Sequence, residues 1–143
     1  VFLDSLFSVG LMEQISMIQA IEIESEEANK VAERYKETKN VDVICEDFFD
    51  FYQRNYKSSQ YDLILGNPPY IRYQYLTEEQ RKIQSNILTT HGMKANKLIN
   101  AWVAFVVACV QMLSENGKIA FVLPAEILQV AYAEDLRLYI YNH

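Results

Sequence analysis

The sequence predicts an α/β fold: a doubly wound, mostly parallel sheet with helices on both faces. Three observations carry this. Short apolar runs alternate with segments of helical periodicity. The runs are continuously apolar rather than alternating, as befits strands covered on both faces. Half of the 143 residues are hydrophobic and 13% are aromatic, enough for one domain of this length to bury a core and too many for an intrinsically disordered chain.

The elements follow in order. Val1-Phe2-Leu3-Asp4 reads as a short buried strand ending in an acid, and Leu6 to Gln14 as a helix. Ser16 to Ile23 reads as a second strand, closing on Glu22 and Glu24. Ser25 is placed to cap a helix, with Glu26 and Glu27 meeting its positive end and Ala28, Val31, Ala32 and Tyr35 forming its inner face. Asn40 stops it. Val41 to Cys45 reads as a third strand followed by Glu46 and Asp47, then an aromatic helix from Phe48 to Tyr56. Tyr61 to Leu65 reads as a fourth strand, halted by Gly66-Asn67-Pro68-Pro69-Tyr70. Thr77 and Gln80 form a capping box for a helix reaching about Leu88. Leu98 to Leu113 is a long apolar helix with Trp102 in its core, and Asn116-Gly117 is a turn. Lys118 to Leu123 is a fifth strand stopped by Pro124, and a last amphipathic helix covers about Ala131 to Tyr141.

Composition bounds the setting. Cys45 and Cys109 lie in apolar runs with no second Cys or His at ligand spacing, which argues against a disulfide scaffold or a zinc site and for a reducing, cytoplasmic location. The longest apolar run, Ala101 to Val110, is too short to span a bilayer, so no membrane partner is expected. A net charge of −6 weighs against a nucleic-acid surface within these residues. The chain starts at Val rather than Met and holds only 4 glycines, which reads as a fragment with few tight turns. His91 has no visible partner and receives no role.

In doubly wound sheets the ligand sits beyond the carboxyl ends of the strands. Asp4, Glu22, Asp47 and Asn67 all fall at such ends, which favours a binding edge over incidental loop polarity. The most informative of these ends is Asn67-Pro68-Pro69-Tyr70. Two prolines cannot continue a central strand; they stiffen the chain and leave carbonyls without competing N–H groups. Asn67 adds an amide that accepts and donates, and Tyr70 an aromatic plate. The cluster is a rigid set of acceptors beside a stacking surface.

With its flanks, Asp62-Leu-Ile-Leu-Gly-Asn-Pro-Pro-Tyr70 resembles the catalytic motif of the adenine-N6 DNA methyltransferases, and the wider chain resembles the Eco57I-type family found in restriction–modification systems. Ala20-Ile-Glu-Ile-Glu24 resembles the motif whose acid, here Glu22, holds the ribose hydroxyls of S-adenosylmethionine. Cys45-Glu-Asp-Phe-Phe49 resembles the motif in which an Asp, here Asp47, accepts from the cofactor adenine amine and the next aromatic, Phe48, packs on its ring. Asn100-Ala-Trp-Val-Ala-Phe105 with Gly117 to Pro124 resembles the helix and strand that follow, where Phe105 closes the adenine pocket. The resemblance implies a Rossmann-like class I methyltransferase fold in which Asn67, Pro68, Pro69 and Tyr70 are catalytic. It implies an adenine of double-stranded DNA as substrate, flipped out to reach the loop.

The first motif departs from the family pattern. An acidic strand end followed by a glycine-bearing loop under the methionine part of the cofactor is expected. Asp4 is present, but Ser5 to Gly10 supplies one glycine only. Either the loop has diverged, or residues between Asp4 and Ser5 are missing. Asp4 and Gly10 are the positions that match. The chain also stops at His143, before the last strands of such a domain. Residues 1–143 therefore read as a partial catalytic domain without a target-recognition domain, and the basic DNA-reading surface is expected outside it, which answers the charge objection. Cytosine N4, RNA adenine or a protein amide could serve the same loop chemistry, and a non-catalytic scaffold is a further alternative. The oligomeric state is not legible.

Overall fold

The computed structural model describes residues 2–94, 101–123, 125 and 133–143. They fall into two compact units, Val1–Arg54 and Asn55–His143.

The first unit is built on two parallel strands, β1 (Ile18–Glu22) and β2 (Val41–Cys45), joined through helix α2 (Ser25–Arg34). Their register sets Ile18 opposite Val41 and Glu22 opposite Cys45. β-Branched residues fill both strands, as a pleated, half-buried surface favours. Asn40, read as a helix breaker, does more: its amide donates to the carbonyls of Met12 (3.1 Å) and Ile15 (2.6 Å), and its own carbonyl accepts from Ile18 N (2.7 Å). Helix α3 (Phe48–Asn55) follows β2 and buries Phe49, Phe51 and Tyr52.

Two expectations fail in this unit. Val1 to Asp4 was expected as a strand; Phe2–Ser8 is helix α1, running unbroken through Asp4 and Ser5, and a 3-10 turn covers Met12–Gln14. A short apolar run cannot distinguish strand from helix by periodicity alone. Here Leu3 and Leu6, one turn apart, are the half-buried pair while Phe2 and Phe7 stay exposed. Ser25 does not cap α2 either. Glu24 occupies the cap position without a side-chain bond, and Glu22 Oε1 accepts from Glu24 N (2.9 Å).

The second unit pairs β3 (Tyr61–Gly66) with β4 (Leu113–Phe121), again in parallel. Between them come α4 (Glu78–Thr90) and α5 (Ala101–Gln111), and α6 (Glu134–Asn142) follows. Thr77 and Gln80 form the expected capping box, with Gln80 N donating to Thr77 Oγ1 (3.2 Å) and Thr77 N to Gln80 Oε1 (3.0 Å). Helix α5 is buried nearly all round, with Trp102, Val103 and Val107 almost wholly enclosed. That burial suits a helix apolar on every face. Leu136 of α6 and Ile87 and Leu88 of α4 join the core.

The expected turn at Asn116-Gly117 lies instead inside β4. The register passes from Tyr61–Leu113 to Leu63–Lys118, so β4 takes up extra residues in an irregularity where a turn was read. Leu98, Asn100, Pro124 and Ala131, used above to place the apolar helix, its motif, the strand stop and the last helix, lie outside the described residues. The expected single sheet appears among the described residues as two parallel pairs, one in each unit. The parallel sense is as predicted. Among the described residues no helix is long and apolar enough to cross a membrane, and no group of acids, Cys and His could hold a metal ion.

Candidate active site at the strand ends

In the second unit β3 ends at Gly66, and the chain turns out through Asn67 to Tyr70. Val122 N donates to Gly66 O (3.2 Å), carrying the ladder one step beyond β4. Gly66 lies opposite Phe121, whose ring covers it: a Cβ at Gly66 would stand 3.3 Å from Phe121 Cε1. A glycine lets the ring approach this closely; a methyl group there would push it back by a few tenths of an ångström. Phe105 of α5 also packs against that ring, with centroids 5.6 Å apart, tilted at 59°. Phe121 thus touches both the end of β3 and Phe105 of α5.

Pro68 is almost wholly buried, Pro69 is half-buried, and Asn67 and Tyr70 are exposed. The loop exit is held as firmly as its entry. Tyr70 Oη donates to Val122 O (2.5 Å), and Ile71 O accepts from Ala101 N (3.0 Å) at the start of α5. Further on, Arg81 donates to the carbonyls of Tyr73 (3.2 Å) and Gln74 (3.1 Å), with its guanidinium over the Tyr73 ring. Among the described residues none takes up the Asn67 side chain or the Pro68 carbonyl in a hydrogen bond. Two acceptors therefore stand ready on a braced backbone, as a planar N–H₂ group requires.

In the first unit the parallel sense of β1 and β2 brings Glu22 and Asp47 to the same, carboxyl edge. Each carboxylate is oriented by a local bond. Glu22 Oε1 accepts from Glu24 N, and Asp47 Oδ1 accepts from Phe49 N (2.7 Å) at the start of α3. The second oxygen of each has no partner among the described residues. Phe48 is half-buried at the head of α3, its ring edge-on to the core residue Phe49 (5.6 Å, 71°). A third acid, Glu46, was not singled out from the sequence. Its Oε2 pairs with Arg54, while Oε1 is buried with no partner. Its place just before Asp47 was the only signal. A buried acceptor left unmade costs about 1–3 kcal/mol. The unengaged oxygens of Glu22 and Asp47 suit a ligand rich in O–H and N–H donors.

Asp4 is not brought to that edge. Helix α2 leaves the carboxyl edge just after Glu22 and returns toward Asn40, so its last turn lies at the amino edge. There Tyr35 Oη donates to Asp4 Oδ1 (2.6 Å) and Arg34 Nη2 pairs with the same oxygen (2.8 Å). The Tyr35 hydrogen bond, aided by the Arg34 charge and opposed by burial, holds the Asp4 carboxyl below its ordinary range. Burial, with Asp4 adding to it, pushes the Tyr35 phenol up. The expected strand-end position of Asp4 is thereby corrected. Gly10, at φ +71°, closes α1, with Gly10 N donating to Phe7 O and Leu11 N to Leu6 O, both 3.1 Å. These are the paired bonds of a Schellman cap.

Phe121 and Val122 also brace the Gly66–Tyr70 loop, a role that the sequence does not announce. Nothing in a strand's apolar run marks which residue will face a glycine on its neighbour. His91, left without a role, closes α4 with its Nδ1 near Ile87 O (2.9 Å) and its ring edge-on to Tyr139. Trp102 is core, as expected.

Comparison with known proteins adds an independent finding. The model of the Eco57I restriction-modification methylase family matches residues 7–143. Type II methyltransferase M.AccI of Acinetobacter calcoaceticus is 27% identical over 123 residues, covering 86% of this chain and 22% of that protein. Type II methyltransferase M.HincII of Haemophilus influenzae is 32% identical over 90 residues, 62% of this chain and 18% of its own length. Modification methylase CviBIII of Paramecium bursaria Chlorella virus NC1A is 27% identical over 124 residues, 86% of this chain and 28% of its own. The chain thus spans under a third of each of these relatives.

Proposed function

Because the chain belongs to the Eco57I restriction-modification methylase family, we propose that it forms part of the catalytic domain of an S-adenosylmethionine-dependent DNA methyltransferase acting on adenine N6. The relatives named as type II methyltransferases support methyl transfer in a restriction–modification setting. The observation that carries the reading is the braced loop with two unengaged acceptors, Asn67 and the Pro68 carbonyl.

When bound, S-adenosylmethionine supplies an electrophilic methyl group on a sulfonium. The protein's task is to make the target amine nucleophilic. The adenine amine is a poor nucleophile because its lone pair is delocalised into the ring. Asn67 Oδ1 and Pro68 O accept its two hydrogens, which draws the nitrogen toward tetrahedral geometry and localises the pair. No strong base is needed beforehand, since the nitrogen passes its extra proton to water only after it has gained positive charge. Pro68 and Pro69 hold the acceptors still, so little reorganisation is required during reaction. Tyr70 stacks on the base after it leaves the duplex. In the first unit Glu22 would accept from the ribose hydroxyls of the cofactor and Asp47 from its adenine amine, with Phe48 packing on the adenine; Phe105, expected at the same ring, is packed against Phe121 in the second unit. Asp4 and Gly10 sit in a helix and its cap, so the reading rests on the other residues. Double-stranded DNA is the partner, read largely by regions outside this chain.

In the full-length protein, tritiated-methyl transfer followed by mass analysis of nucleosides should give N6-methyladenine. Asn67→Ala should lower kcat by about 10²–10³, the range for removing one preorganised polar contact to a transition state, with cofactor binding by calorimetry unchanged. Near-normal turnover of the variant, or N4-methylcytosine as the product, would overturn the proposal.

A further inference from the structure

We propose that the Tyr70 hydroxyl is a positioning group for methyl transfer: by donating to the Val122 carbonyl it fixes the ring beside the acceptors of Asn67 and Pro68. The inference rests on the methyl-transfer reading above and assigns a task to an atom which that reading does not use. Stacking needs only the ring; a phenylalanine would stack as well.

The geometry gives the hydroxyl its own work. Val122 serves the loop twice. Its N–H donates to Gly66 O at 3.2 Å, and its C=O accepts from Tyr70 Oη at 2.5 Å. One residue beyond the end of β4 therefore holds the first and the last residue of Gly66–Tyr70. Between these anchors Pro68 and Pro69 have fixed φ, and Pro68 is buried. Beyond them Ile71 O is held by Ala101 N at 3.0 Å. The backbone is thus braced throughout, and the remaining freedom at the loop's end is the side-chain rotation of Tyr70. Tyr70 is 47% exposed, so packing alone does not fix its ring. The hydroxyl bond removes that freedom.

A purely stabilising role explains the contact poorly. Val122 lies one residue beyond β4 and both it and Tyr70 are exposed, so the bond ties together no part of the buried core. A bond that adds little stability but locks the orientation of an exposed plate acts on geometry. A stacking surface held in place before the base arrives costs less entropy when it engages.

The test uses the full-length protein with wild type, Tyr70→Phe and Tyr70→Leu. Tyr70→Phe keeps the ring and should retain wild-type cofactor and DNA affinity and thermal midpoint, while kcat falls about five- to ten-fold, the worth of one hydrogen bond read as a rate. Tyr70→Leu, lacking ring and hydroxyl, should fall further. DNA with 2-aminopurine at the target position gives a second readout. A ring held in stacking quenches the flipped base, so Tyr70→Phe should be brighter than wild type. Equal kcat and equal fluorescence for Tyr70→Phe and wild type would overturn the inference, as would a kcat loss matched by a fall in thermal midpoint. Both results leave the methyl-transfer reading standing. If the wild type itself placed no methyl on adenine, that reading would fall and this inference with it.

Discussion

Replacing Gly66 by Ala tests whether the contact between Gly66 and Phe121 sets the position of Asn67. The new Cβ would stand 3.3 Å from Phe121 Cε1 and 3.6 Å from Cδ1. Carbon contacts settle at about 3.5–4.0 Å, so ring and strand must part by roughly 0.2–0.7 Å. Phe121 cannot swing away freely, because Phe105 packs against it with centroids 5.6 Å apart. Part of the displacement therefore passes into the backbone beside Asn67. A misplacement of 1 Å costs about 10²-fold in rate, and a third of that scales to about five-fold. Stability should fall by about 1 kcal/mol, the lower end for overpacking. The assay is kcat for methyl transfer by the full-length protein, in a double-mutant cycle with Phe121→Leu, which makes room for the added methyl. The paired variant should recover most of the lost rate, an interaction energy of about 0.5 kcal/mol or more. A Gly66→Ala enzyme with wild-type kcat, or rate effects that simply add, would refute the claim that this contact positions the loop.

Two further outcomes follow from the structure. Thr77→Ala breaks the reciprocal capping box of α4 and should cost about 1 kcal/mol, seen as roughly five-fold faster amide hydrogen exchange in the first turn of that helix; unchanged exchange would contradict it. Tyr35→Phe removes the donor to Asp4. The carboxyl is depressed in the folded state, so its contribution is present above the ordinary carboxylate range and lost as pH falls through the lowered value. The phenol is raised, so its contribution is present below about pH 10 and lost as pH rises beyond. The stability gap between wild type and Tyr35→Phe, read as a shift in urea midpoint, should be widest near neutral pH and narrow at both extremes; a gap constant with pH would rule the bond out as its source.

Much of the molecule was legible because its signals are local. β2 runs over the residues expected, and the capping box of Thr77 and Gln80 forms as read. The proline pair announced a stiff acceptor loop, since proline's fixed φ and missing N–H travel with the residue wherever it sits. Parallel pairing was legible from continuous apolar runs, and it brings Glu22 and Asp47 to one edge. Where local signals were weak or shared, reading failed. Phe2-Leu3 suits a strand as well as a helix, and the Schellman cap at Gly10 favours the helix. Asn116-Gly117 carries a turn signal, yet pairing with β3 keeps it inside β4.

The sequence by itself determined the chemistry available: which residues can accept, stack or stiffen, and at which strand ends they occur. Those properties belong to single side chains and to their spacing along the chain. Only the tertiary structure decided which of them act together. It took Asp4 to the amino edge through Tyr35 and Arg34, set Phe121 against Gly66, and gave Val122 both ends of the loop to hold. Those contacts join residues tens of positions apart, and their formation depends on the register of one strand on another, which no single segment encodes.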